Sequence, residues 1–135
     1  MKENLNDTTF IIPIRIDSII RLENLLLTIE NLESNFDTNI IVIEASYYNN
    51  KIVESLISKE IQYLFWEDKD PVFYRTRYLN KATSHVKTDI VGVWDADVIF
   101  EPIQILNAVE QIRLKKCHIA YPYDGNFLDI SFILR

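Results

Sequence analysis

The sequence predicts an α/β domain, a mostly parallel sheet with helices on both faces. Three observations carry that expectation. Short, continuously apolar, β-branched runs recur along the chain, amphipathic stretches at helical spacing separate them, and polar turn residues punctuate the junctions.

The elements follow in order. Phe10 to Ile14 forms the first strand. Ile19, Leu22, Leu25, Leu26, Ile29, Leu32 and Phe36 recur at helical spacing, with Asp17 placed to cap that helix. A second strand spans Ile40 to Ile43; the polar turn "SYYNN" leads into a short helix near Lys51 to Ser58, then a third strand, Ile61 to Phe65. A helix over Tyr74 to Val86 places Leu79, Ala82 and Val86 on its core face. Strand Ile90 to Trp94, helix Pro102 to Lys115 and a last strand, His118 to Tyr121, complete the alternation. Phe65, Trp66 and Trp94 belong to the core, and Tyr47 and Tyr48 to a surface turn.

Composition narrows the function. The chain has 135 residues, 48% hydrophobic and 12% aromatic, which suits a single domain over 1–135 with one core, and no repeat or linker divides it. Fourteen Lys and Arg against 20 Asp and Glu give a charge of −6, which argues against a nucleic-acid or anionic-membrane coat. Cys117 is the only cysteine, so no internal disulfide forms and a reducing, cytoplasmic setting is the expectation. The start "MKENLNDTTF" lacks the apolar core of a signal peptide, and no apolar run of about 18 residues occurs, as a spanning helix needs. With only Gly92 and Gly125, neither a Walker loop nor a dinucleotide fingerprint can be built.

The chemistry concentrates in "TDIVGVWDADVIF", where an apolar strand runs straight into Asp95 and Asp97. In parallel sheets ligands bind beyond the carboxyl ends of the strands, where Arg15 with Asp17, Glu44, Glu67 with Asp68, and this pair all fall. An Asp-x-Asp alone is a weak signal, and Asp68 with Asp70 forms a second. Two readings stand for the first. Side chains at i and i+2 can share one hard divalent ion, Mg²⁺ or Mn²⁺, which keeps places for phosphate oxygens. Alternatively, one aspartate caps the helix starting near Pro102 or satisfies loop amides.

The segment from Pro71 to Thr88 is basic inside an acidic chain, with Arg75, Arg77, Lys81 and Lys87 and no acid. Arg77, Lys81 and His85 form one stripe at i, i+4 and i+8, which as such is a solvated helix face. The amino end of this helix opens onto the same rim, where Arg75 and the helix dipole can meet a phosphate. Glu67, Asp68 and Asp70 before Pro71 could line the pocket, with a solvated acidic loop the favoured reading. His85 and His118 have no zinc-ligand spacing with Cys117.

In this order and spacing, "TFIIPIRIDSIIRLENL", "NIIVIEAS", "RTRYLNKA" and "DIVGVWDADVIF" resemble the nucleotide-binding half of family 2 glycosyltransferases, which have the GT-A fold, from about Thr8 to Tyr123. The resemblance implies transfer of a sugar from a nucleotide sugar, commonly a UDP-sugar, to a hydroxyl of a carbohydrate or glycan acceptor. It implies Asp95 and Asp97 on Mn²⁺ or Mg²⁺, with Asp95 also near the ribose or sugar. Pro13, Arg15, Asp17 and Glu44 would contact the nucleoside, and Arg75 and Asn80 would sit near the uridine and phosphates.

The chain also departs from the family. Leu79 stands where an arginine usually precedes the asparagine, and Glu44 with Ala45 where two aspartates often stand. A full enzyme adds an acceptor-binding region with a carboxylate general base; the expectation is that this part is absent here and that a further domain of a longer protein supplies it. Of the acids after the metal strand, Glu101, Glu110, Asp124 and Asp129, only Asp124 is a candidate base, and its Asp-Gly context favours a turn. A non-catalytic nucleotide-sugar-binding or interaction module with the same fold is the alternative. A phosphoacceptor receiver domain is the third class; it would need an acidic pair after the first strand and a lysine after the last, where "IPIRID" and "YPYDG" stand.

Overall fold

In the computed structural model, residues 1–123, 125 and 126 are described. The chain divides into two compact units, Met1–Ile99 and Phe100–Arg135, at a point the sequence does not mark. The first unit contains β1 (Glu3–Ile14), α1 (Ile19–Asn35), β2 (Phe36–Ser46), α2 (Ile52–Leu56), β3 (Gln62–Glu67), α3 (Arg75–Thr83) and β4 (Ile90–Val93), and the second contains α4 (Pro102–Arg113). The strands form one sheet in the order β3-β2-β1-β4, and every pairing is parallel.

The α/β class is therefore as expected, with local differences. β1 begins at Glu3, well before Phe10, because Glu3 to Leu5 pair with Phe36 to Thr38 through the backbone while the polar "ENLND" gives no apolar signal. A register shift between Leu5 and Thr9 is bridged by side chains: Thr38 Oγ1 donates to the Thr8 carbonyl at 2.9 Å, and Asn39 Nδ2 to the Asn6 carbonyl at 3.1 Å. Ser18, not Asp17, caps α1, its Oγ accepting from the Arg21 N–H at 3.2 Å. Asp17 pairs instead with the Arg21 side chain at 2.8 Å. Phe36 is the first residue of β2 rather than the end of the helix, turning extended so that its ring is buried.

Strand alternation divides the core into two layers. Ile11, Ile41, Ile43 and Ala45 meet Tyr78 and Ala82 of α3, with Leu64, Trp66, Phe73, Leu79 and Val86 packed around them. The intervening Phe10, Ile12, Ile14, Ile40 and Val42 are also buried and point to the opposite face. The crossovers from β1 to β2 and from β3 to β4 run in opposite directions along the sheet, so right-handed connections put α1 and α3 on opposite faces. The helix stripe Leu25, Thr28, Ile29 and Leu32 closes that second layer. Each fully buried Ile or Leu contributes about 1.5–3 kcal/mol.

β4 departs from the expectation of a strand buried on both faces: Val93 is 52% exposed, and the strand forms one edge of the sheet. Gly92 pairs with Phe10, whose ring lies across it. The ladder continues one residue further, the Trp94 N–H donating to the Ile11 carbonyl at 3.0 Å.

In the second unit Glu101 is the N-cap of α4, with Gln104 Oε1 accepting from its N–H at 3.2 Å, and Pro102 opens the first turn. The strand expected over His118 to Tyr121 does not form; those residues are irregular. Its short apolar run cannot be told from a loop by pattern alone. Among the described residues no helix is long and apolar enough to cross a membrane.

Candidate functional site

β1 lies between β2 and β4, so the chain leaves it in one direction along the sheet and returns on its other side. That reversal of strand order opens a crevice beyond the carboxyl ends of β1 and β4. A cleft of about 650 Å³ lies there. Its floor is Pro13 to Asp17 after β1, Arg21 and Asn24 of α1 form one wall, and Pro71, Phe73 and Arg75 form another. Asp95, Ala96 and Asp97 complete it.

The segment of the two aspartates is held from below. Thr28 Oγ1, buried on α1, donates to the Ala96 carbonyl at 2.8 Å. Both carboxylates stay exposed. Neither caps α4, whose N-cap is Glu101. Arg75, the first residue of α3, reaches across the cleft and places Nε at 3.1 Å and Nη2 at 2.8 Å from Asp95 Oδ1.

Arg15 lines the same cleft and is also held by fixed partners. Its Nε donates to the Ala45 carbonyl at 2.7 Å, Nη1 to the carbonyls of Asp70 at 2.9 Å and Pro71 at 3.2 Å, and Nη2 to Tyr78 Oη at 3.3 Å. The guanidinium also lies 5.6 Å from the Phe73 ring centroid. One side chain thus ties the ends of β1 and β2 to the wall of the cleft. Tyr78 Oη in turn donates to Asp68 Oδ2 at 2.6 Å, and Asp68 Oδ1 accepts the Asp70 N–H at 2.9 Å.

Asp68 is therefore a hub of this loop, not part of a solvated acidic run. The Tyr78 hydroxyl, then the Asp70 N–H, hold its carboxyl below the usual carboxylate range. Burial, and then the bond to Asp68, push the Tyr78 hydroxyl upward.

Of the expected site residues, Pro13, Arg15, Asp17, Arg75, Asp95 and Asp97 come together around the cleft. Glu44 and Asn80 do not line it. Glu44 is 3% exposed on the opposite layer and accepts from Tyr63 Oη at 2.5 Å. Burial, and then Glu44, push the Tyr63 hydroxyl above its ordinary value. Asn80 points to solvent from the middle of α3. Helical geometry explains this, because only the first turn of α3 borders the cleft.

The basic stripe is likewise turned away: Arg77 stacks 4.4 Å from the Tyr74 ring centroid and reaches Asp68 at 3.9 Å, while His85 Nδ1 lies 3.4 Å from Gln62 Nε2. Asp124, the candidate base, lies outside the described residues, as does Asp129.

Thr28, Tyr78 and Phe73 went unnoticed in the sequence. Thr28 left a trace, a polar residue inside the apolar stripe Leu25, Ile29, Leu32. Tyr78 and Phe73 left none, since a tyrosine within a helical pattern and a phenylalanine just before one carry no mark of a cleft.

A hard divalent ion fits the donor set. Asp95 and Asp97 offer only carboxylate oxygens, both exposed to one cleft, and such ions bind through one or two carboxylates with phosphate oxygens and water completing the shell. Among the described residues no group of three or more His, Cys, Asp or Glu is placed to hold an ion, so a ligand or water would have to supply the remaining oxygens. No protein-family model matches this sequence, and no match to it is found among curated proteins.

Proposed function

We propose that this chain is the nucleotide-sugar-binding part of a glycosyltransferase of the family 2, GT-A type, taking a UDP-sugar into the cleft between β1 and β4. The observation that carries the reading is the meeting of Asp95, Asp97 and Arg75 at the reversal of strand order, where doubly wound sheets bind nucleotides. The order β3-β2-β1-β4 also favours this reading over a receiver domain, whose sheet runs 2-1-3-4-5.

In this reading Asp95 and Asp97 would hold Mn²⁺ or Mg²⁺. An ion held there would supply positive charge against the negative charge of a departing diphosphate. The chain's own residues bind and orient the donor. Arg75 offers a planar fork of N–H donors suited to phosphate oxygens. Phe73 and Pro71 give the nucleoside an apolar wall, and Arg15 fixes that wall by holding the Asp70 and Pro71 carbonyls. Thr28 fixes the height of the carboxylates through Ala96. Acceptor activation is assigned to no described residue.

Calorimetric titration with UDP in the presence of Mn²⁺ tests the reading. Binding that chelator abolishes, and that Asp95→Asn and Asp97→Asn each weaken at least about tenfold, a loss of 1.4 kcal/mol, is expected. Equal binding by wild type and both variants, or none by any of them, would remove the basis for a metal-diphosphate site.

A further inference from the structure

The two contacts from Arg75 to Asp95 give the cleft an internal cation. Nε and Nη2 both converge on Oδ1, at 3.1 and 2.8 Å, so one carboxylate oxygen takes two charge-assisted bonds from one guanidinium. The side chains are 43% and 54% exposed, so no packing locks the pair and its strength is that of a surface ion pair. A divalent ion on Asp95 would meet a carboxylate already paired at Oδ1 and a like charge beside it.

We infer that Arg75 and the divalent ion compete for Asp95, and that Arg75, once displaced, turns to the diphosphate. This rests on the proposed metal-diphosphate reading of the cleft and adds a coupling to it. The ion alone must bind Asp95 against the charge of Arg75, which weakens the Arg75–Asp95 pair. The diphosphate alone can draw Arg75 away only at the cost of leaving Asp95 facing an anion. Together, each ligand takes the partner that the other frees: the ion takes Asp95 and the phosphate takes Arg75. The two ligands therefore bind with positive cooperativity, equal in both directions by linkage. Neither Arg21, paired with Asp17, nor Arg15, held on backbone carbonyls, touches Asp95, so the exchange belongs to Arg75.

The test is binding of Mn²⁺ alone, followed by paramagnetic resonance of the free ion, to wild type, Arg75→Gln, Arg75→Lys and Asp97→Asn. Arg75 is an exposed residue of the first helical turn, and circular dichroism checks that each variant folds. Arg75→Gln is expected to bind Mn²⁺ about two- to fivefold more tightly than wild type, the range given by loss of an exposed ion pair as competitor. Arg75→Lys is expected to lie between them. UDP is then titrated with and without Mn²⁺; the ratio of the two affinities is expected to be smaller in Arg75→Gln than in wild type, the remainder being the ion's own contact with the diphosphate.

Unchanged or weaker Mn²⁺ affinity in Arg75→Gln, with Asp97→Asn still weakening it, overturns the competition while leaving the metal site in place. No Mn²⁺ binding that depends on Asp97 in any form of the protein overturns both.

Discussion

Thr28 Oγ1 donates a 2.8 Å hydrogen bond to the carbonyl of Ala96, the residue between Asp95 and Asp97. The donor is buried, so this bond sets where the two acids leave the sheet. Thr28→Val keeps the shape and removes the donor, stranding the carbonyl. A loss of about 1–3 kcal/mol in urea unfolding is expected, with Thr28→Ser retaining most of the wild-type stability. If serine behaves like valine, packing of the methyl group rather than the bond holds the segment.

The Tyr78–Asp68 bond makes a prediction about acid. Asp68 is held below its ordinary pKa in the folded chain, chiefly by the Tyr78 hydroxyl, so the unfolded chain takes up its proton first as the pH falls. Its stabilisation is present above the unfolded value, about 3.9, and is lost as the pH drops through the lower folded value. Melting temperatures recorded between pH 6 and 2.5 should fall less steeply in Tyr78→Phe than in wild type. Parallel acid limbs for the two proteins would show that Asp68 is not the group being protonated.

Much of this architecture was legible from residue pattern. The runs from Phe10 to Ile14 and Ile40 to Ile43 are apolar because both faces of a central parallel strand are covered, and that is a one-dimensional signal. The acids at the ends of strands follow from the same logic, so Asp17, Asp95 and Asp97 could be placed on one rim. Glu44 could not. Its position in β2 sends it to the layer opposite Ala45, and only the pairing with Tyr63, set by the β2–β3 register, reveals that. The bonds that Arg15 and Asp68 make were not legible for a related reason: their partners, Ala45 and Tyr78, are distant in sequence and meet them only through the sheet and α3.

The Tyr63–Glu44 pair predicts the alkaline side. Burial and Glu44 raise the Tyr63 hydroxyl, and burial and Asp68 raise that of Tyr78, so both stay protonated in the folded chain where the unfolded chain ionises. The stabilisation is full below about pH 10, the unfolded value, and declines as the pH rises beyond it. Tyr63→Phe should flatten that decline. It should also cost about 1–3 kcal/mol at pH 7, since it removes the donor from a buried carboxylate. Denaturant unfolding at pH 7 and 10.5 measures both effects, and an unchanged pH 7 stability would mean that Glu44 finds another donor.

Gly92 predicts an overpacking effect. A Cβ there would stand 2.6 Å from Phe10 Cδ1 and 2.9 Å from Cε1. Phe10 cannot easily swing aside, because it is buried and its ring meets Trp94 edge-on at a centroid distance of 5.1 Å. Alanine gains about 0.5–1 kcal/mol from the lower entropy of the unfolded chain, against about 1–3 kcal/mol for forcing a packed ring from its place. The clash should win, so Gly92→Ala is expected to destabilise. Shortening the partner separates this from a strand-propensity effect: in the Phe10→Leu background the cost of Gly92→Ala should shrink or change sign, a coupling read from a double-mutant cycle in urea. Simple additivity of the two substitutions would mean that the ring and the missing side chain do not compete for the same space.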